Sequence, residues 1–327
     1  MPVFASLRSS LLLVAVLASP VSAQDPVAPS LPSDPAQATV STADVGLFWR
    51  AWDAWVADGQ RPERLAPILQ AEYLDKGSAG VRDFTPDRII SADALATRIL
   101  EDRAYYERVR PITERIASRL PDLQGVYRAF EQRYPDAVFP TLYVVIGRRN
   151  SGGMSSPRAL ILGAEMFAGQ GARLDEEDVL PMVAHELVHF QQRTSAERGG
   201  GLLGASLREG GADFIAEQIA GRHINTRVKG YGDSHEHDLW PRFLADLSRP
   251  DGHRPWLYNG RDPNRVGLPD LGYYMGYKIA QAYFQRAADR DAAFATLVRM
   301  EDPSAILRDS RYGERFGATT PAPSPEP

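Results

Sequence analysis

Between residues 44 and 56 the apolar side chains Phe48, Trp49, Trp52, Trp55 and Val56 recur at three- and four-residue steps, which places them on one face of a helix. A stripe of that kind marks a buried core face, and Asp44 is in position to cap it. Residues 91–106 and 111–134 carry the same period and predict two more helices; Ser91 is a cap without the acid that completes a capping box, since Ala94 stands there. At residues 139–147 (FPTLYVVIG) the pattern changes to β-branched and aromatic side chains, and 159–163 (ALILG) reads as a second short strand. The turn-rich stretch between them, 148–157 (RRNSGGMSSP), suggests a small antiparallel sheet. Helical periodicity resumes near Asp178 and holds to Arg308. The fold class is therefore α+β: a helical N-terminal region over 41–135, then a mostly helical domain with a small sheet over 136–316.

The ends read differently. Residues 1–23 have the form of a signal peptide: Arg8 gives the positive start, 11–18 is an apolar run too short to span a bilayer comfortably, and Val21-Ser22-Ala23 fits the small-x-small pattern for cleavage after Ala23. An uncleaved anchor is the alternative. Residues 24–40, rich in Pro, Ala and Ser, are expected to be a flexible linker, and 317–327 a disordered tail. The mature protein is expected to be periplasmic or secreted, without stable membrane insertion. The net charge of −5 gives no reason to expect a nucleic-acid surface. Cysteine is absent, which rules out disulfides and a lipoprotein anchor, so an exported domain depends on its core and on any bound metal.

The stretch VAHELVHFQQR holds two of the six histidines, four residues apart. On a helix His185 and His189 share a face and can reach one cation at Zn–N distances of about 2.0–2.1 Å. Pro181 falls in the first turn, where its missing N–H is harmless, and Asp178 can cap. Glu186 then points to a water on the metal and can take its proton; bound zinc lowers that water's pKa from about 15.7 toward about 7. A hydrolytic zinc site needs three protein ligands and an open position. Glu209, twenty residues after His189, supplies the third, and Asp213 at its i+4 position can accept the other N–H of a ligand histidine. Glu217 is the rival third ligand, but it lies too far along the helix. The glycines over 199–204 let the chain turn back so that the two helices run antiparallel.

His185-Glu186-x-x-His189, a gap of nineteen, then Glu209-x-x-x-Asp213 resembles the gluzincin metallopeptidases, the thermolysin-like group. A wider stretch, with PTLYVVIG, ALILGAEMF, AHELVHFQQ, REGGADFIAE and DLGYYMGYKIAQAYF, looks like the zinc-dependent proteases of unknown substrate related to the gliding-motility lipoprotein B group. The resemblance implies a zincin-like fold, one Zn²⁺ and a peptide or protein substrate. It also implies a strand beside the active-site helix that aligns the substrate backbone, for which 159–163 is the candidate by β-addition. The oxyanion of the tetrahedral intermediate needs a donor. Tyr273 and Tyr277 share one helix face and are the candidates, while Tyr274 points elsewhere. His235 and His237 (YGDSHEHDL) form a polar cluster that reads as an exposed loop or helix start, or as further metal ligands or the source of an oxyanion-stabilising histidine.

The expectation is an exported single-zinc metallohydrolase, a peptidase with Glu186 as general base. A non-catalytic zinc protein of envelope assembly is the alternative. It would close the fourth position, for which His235 or His237 would serve, and it gives Glu186 no purpose. Hydrolysis of a non-peptide amide, such as a cell-wall cross-link, is a third possibility.

Overall fold

The aromatic stripe of the N-terminal region folds as expected into helix α1 (Ala43–Ala57), and the rings interlock. Phe48, Trp49, Trp52 and Trp55 meet edge to face at centroid distances of 4.9–5.7 Å, the arrangement aromatic quadrupoles favour. The indole N–H of Trp49 donates to Thr113 Oγ1 at 2.9 Å, so its burial costs no hydrogen bond. Asp44 is not the cap: Thr42 holds that position, and Asp44 is buried in the first turn, accepting from the Ser78 N–H and hydroxyl. The computed structural model describes residues 31–169, 174–192, 201–260, 262 and 265–317. The signal peptide, its cleavage point, residues 24–30 of the linker, Gly199 and Gly200, and the tail beyond 317 lie outside them.

Helices α2 (Pro62–Leu69), α3 (Ala79–Phe84), α4 (Ala92–Glu101), α5 (Arg103–Ser118) and α6 (Leu120–Arg133) complete the N-terminal region. Ser91 caps α4 by accepting the Ala94 N–H. Four buried tyrosines tie this region to the sheet. Tyr73 donates to the Ile146 carbonyl and accepts its N–H; Tyr105, Tyr106 and Tyr127 donate to the carbonyls of Glu165, Gly147 and Pro140. The helical region and the remainder share one core, and residues 31–317 form one unit.

The sheet is mixed rather than antiparallel. Strands β1 (Val40–Ser41), β2 (Thr141–Val145), β3 (Gly153–Ser155) and β4 (Ala159–Gly163) lie in the order β1-β2-β4-β3. β2 and β4 run parallel, Thr141 beside Ala159, while β3 pairs antiparallel with β4, Met154 beside Ile161. The turn-rich stretch is thus a crossover of about a dozen residues, the length parallel strands require, and it contributes the edge strand. β4 is interior and buried along its length, so it offers no free edge to a substrate. The expected linker is also ordered from residue 31: Val40 and Ser41 pair with β2, Asp34 accepts the Ala36 N–H, and the Phe139 N–H donates to the Pro32 carbonyl.

Beyond the sheet come α7 (Val179–Gln191), α8 (Gly201–Ala220), α9 (Thr226–Asp246), α10 (Leu271–Arg286), α11 (Arg290–Arg299) and α12 (Pro303–Ser310). Asp175 and Asp178 form a capping box just before α7. α8 and α10 approach to backbone contact. A Cβ on Gly276 would stand 1.7 Å from the Ser206 carbonyl oxygen, and one on Gly210 would stand 2.1 Å from that of Tyr273. Among the described residues no helix is long and apolar enough to cross a membrane.

Candidate metal centre

Helix α7 has apolar residues on most of its surface, and Val183, Leu187, Val188 and Phe190 are buried around the polar stripe. That packing fixes the axis of α7 and aims His185 and His189, 6% and 9% exposed, at α8. Across the gap His185 meets Asp213 and His189 meets Glu209, so the two helices run antiparallel.

His185, His189 and Glu209 form the one potential metal-binding group among the described residues. Their facing atoms make a triangle: 2.9 Å between the two Nε2 atoms, 3.2 Å from His189 Nε2 to Glu209 Oε2, and 3.6 Å from His185 Nε2 to the same oxygen. Tetrahedral ligands at Zn–N and Zn–O bonds of about 2.1 Å stand about 3.4 Å apart. The triangle fits zinc, and so does its donor set of two imidazoles and a carboxylate. The far side of each ligand is held. His189 Nδ1 lies 3.0 Å from Gln192 Oε1, and His185 Nδ1 lies 2.8 Å from Asp213 Oδ1, a contact bent away from a linear hydrogen bond. With the protons on Nδ1, both Nε2 lone pairs face the common point. Glu209 divides its oxygens: Oε2 faces the histidines, while Oε1 accepts a 2.5 Å hydrogen bond from the Tyr258 hydroxyl.

The electrostatics demand positive charge. Burial opposes a charge on His185, yet the Asp213 and Glu209 carboxylates outweigh it and raise its pKa well above the usual imidazole range. Burial also works against ionised Glu209, but His189 and His185 pull its pKa well below the ordinary value. The Glu186 carboxyl is shifted upward by burial against the opposing pull of the two histidines.

A cleft crosses the cluster. Glu186, Tyr273, Asp270, the loop residues Asn150 and Ser151, and Gly153 of β3 border both of its lobes, of ≈ 560 and ≈ 570 Å³. His185 opens on one lobe, His189 and Glu209 on the other. Tyr273 lies with its ring nearly parallel to His185, centroids 6.4 Å apart. Tyr277 is not brought to the site: one helical turn further along α10, its hydroxyl donates to Glu217 at 2.5 Å and its ring packs on Phe214 and His223. Glu217 is thereby accounted for away from the cluster. Tyr274 donates to Asp233. His235 and His237 lie inside α9, not in a loop or at a helix start; His235 stacks on Tyr231 and His237 packs on Phe316, and neither closes the cluster.

Three contributors escaped sequence reading. Gln192, three residues after His189, was legible by helical spacing. Tyr258 belongs to a turn-rich stretch and has a left-handed backbone (φ 56°), so no periodic signal announces it. Gly153 on β3 meets Glu186 so closely that a Cβ there would stand 2.7 Å from Glu186 Oε1.

Residues 151–305 match the model of a family described as "Predicted Zn-dependent protease (DUF2268)". The match begins in the loop that borders the cleft and includes all the cluster residues. No curated protein and no solved structure matches the chain.

Proposed function

We propose that the protein is an exported peptidase of the gluzincin type that works with one zinc ion on His185, His189 and Glu209. The observation that carries this reading is the triangle of two Nε2 atoms and one carboxylate oxygen at 2.9–3.6 Å, beside a cleft with Glu186 on its wall. Zinc bound there supplies a Lewis acid that acidifies a water and polarises the scissile carbonyl.

The chain's own residues do the rest. Glu186 accepts the proton of the attacking water and passes it to the leaving amine; its upward-shifted pKa suits both halves of that exchange. Asp213 and Gln192 hold the imidazoles in one orientation. Tyr273, on the wall of both lobes, is the candidate donor to the oxyanion, and Tyr258 keeps the Glu209 carboxylate turned toward the histidines. The backbone that a substrate strand would pair with is β3, the sheet edge against Glu186, in place of interior β4. Export rests on the signal peptide read from residues 1–23. The non-catalytic alternative draws no support from His235 and His237, which lie elsewhere.

The test compares the zinc-loaded mature protein with Glu186→Gln on a broad peptide library. Both should retain about one equivalent of zinc, since Glu186 is not a ligand, and only the parent should cleave. Equal cleavage by both would exclude Glu186 as the base.

A further inference from the structure

The two lobes of the cleft are chemically unlike. The lobe on the His185 side is walled by the apolar side chains Met166, Leu174, Met182 and Ile224, with Asp213, Asn225 and the exposed Arg227 also on its lining. The lobe on the His189 side has a single large apolar side chain, Met154, and carries Arg88 and Arg208 together with Ser155 and the Tyr258 hydroxyl.

Among the described residues Arg88 is the one arginine with a buried nitrogen that lacks a hydrogen-bond partner. Arg110, Arg115 and Arg222 each pair with carboxylates. Neither Arg88 nor Arg208 makes an ion pair among the described residues, a lack that Arg227 of the other lobe shares. A desolvated guanidinium nitrogen left unmatched is costly, and such groups normally find an acceptor. The backbone around Arg88 is fixed to the rim of the cleft, since its carbonyl accepts from Arg148 Nε at 2.9 Å and Asn150 Nδ2 at 3.0 Å. Arg208 directly precedes Glu209 on α8 and is exposed. Of the carboxylates in this lobe, Glu209 is engaged with the histidines and Tyr258, and Glu186 stands beside the reacting centre within the electrostatic pull of Arg88. Asp270 stands at the boundary with the other lobe.

We infer that Arg88 and Arg208 form a subsite for a substrate carboxylate on one side of the scissile bond, opposite an apolar subsite formed by Met166, Leu174, Met182 and Ile224. Guanidinium groups bind carboxylates through paired, charge-assisted hydrogen bonds that an amide does not reproduce. The inference rests on the peptidase reading and narrows it: the substrate presents an apolar side chain on one side of the bond and a carboxylate on the other. That carboxylate belongs either to an internal Asp or Glu or to a free C-terminus.

Four blocked octapeptide pools test this, matched at every position except that Glu in one pair is Gln in the other, each with a free or an amidated C-terminus. The zinc-loaded parent should favour one carboxylate-bearing pool over its neutral partner at least tenfold in kcat/KM. A Glu/Gln difference identifies a side-chain carboxylate, and an acid/amide difference identifies the C-terminus. Arg208→Gln, on the surface of α8, and Arg88→Gln should bring that ratio to within about twofold of one. Equal rates on all four pools, or a preference that both variants retain, would overturn the subsite. Binding of the same pools to zinc-loaded Glu186→Gln by calorimetry separates the two readings. If the parent cleaves nothing but the carboxylate pool still binds tenfold tighter, the peptidase reading fails and the subsite stands. Equal binding of all pools overturns the subsite.

Discussion

Replacing Gly276 by alanine tests whether the contact between α8 and α10 sets the position of Glu209. The new Cβ would lie 1.7 Å from the Ser206 carbonyl oxygen and 3.0 Å from the Leu207 nitrogen. Ordinary C···O contacts begin near 3.3 Å, so the two helices must part by roughly 1.6 Å. The obstructing atom is backbone, and no rotamer change relieves it. Overpacking of this kind costs about 3 kcal/mol or somewhat more. With an unfolding entropy of about 2.1 cal/mol/K per residue, a chain of this size loses roughly 5 °C in Tm for that cost. Glu209 sits three residues beyond Ser206 on the displaced helix, so zinc affinity, measured by competition with a chelator, should fall at least tenfold as well. Gly230 is the control: it lies at an exposed position inside α9 with nothing within 4 Å of its Cβ position, and alanine there should raise stability by up to about 1 kcal/mol through helix propensity. Calorimetry on both variants decides the matter. A Gly276→Ala protein within 1 °C of the parent, with unchanged zinc affinity, would refute the close packing.

Gly153→Ala would press a methyl group against the Glu186 side chain, 2.6 Å from Cγ. That side chain can yield by about 1 Å, so Tm should change little, but kcat should drop on the order of 100-fold; unaltered kcat would mean that the placement of Glu186 is immaterial. Glu165 is buried, and burial raises its carboxyl pKa to about 7, against the pull of backbone N–H groups and of Arg149. The unfolded chain gives up this proton near 4.5, so from about pH 4.5 to 7 the folded state holds more protons and stability falls as pH rises, by on the order of 3 kcal/mol. Glu165→Gln should remove that slope and leave the variant more stable than the parent at pH 8; urea melts at pH 5 and pH 8 with the same pH dependence for both proteins would discredit it.

The grouping of His185, His189 and Glu209 was legible because its information is local. Helical spacing alone puts His185 beside His189 and Glu209 beside Asp213, and the two helices need only meet antiparallel to assemble the set. The sheet was less legible, since strand direction depends on what lies beside each strand, and a turn-rich stretch reads alike whether it is a hairpin loop or a crossover holding β3. Residues 31–40 resemble a tether by composition, yet Leu31, Ala38 and Val40 meet the core. The histidines of α9 were misread because dense polarity hides a helical period; His235 stacks on Tyr231, one turn before it. Tyr273 and Tyr277 were equivalent by spacing and are separated only by the crossing of α10 over α8. Tyr258 reaches Glu209 from 49 residues away in the chain, beyond any local pattern.

Diffraction at the zinc absorption edge from crystals of the zinc-loaded protein addresses the central claim most directly. The expected result is one anomalous peak about 2.0–2.2 Å from His185 Nε2, His189 Nε2 and a Glu209 carboxylate oxygen, with its remaining side toward the cleft and Glu186. A peak at another set of residues, or a Glu209 carboxylate turned away from both imidazoles, would contradict it.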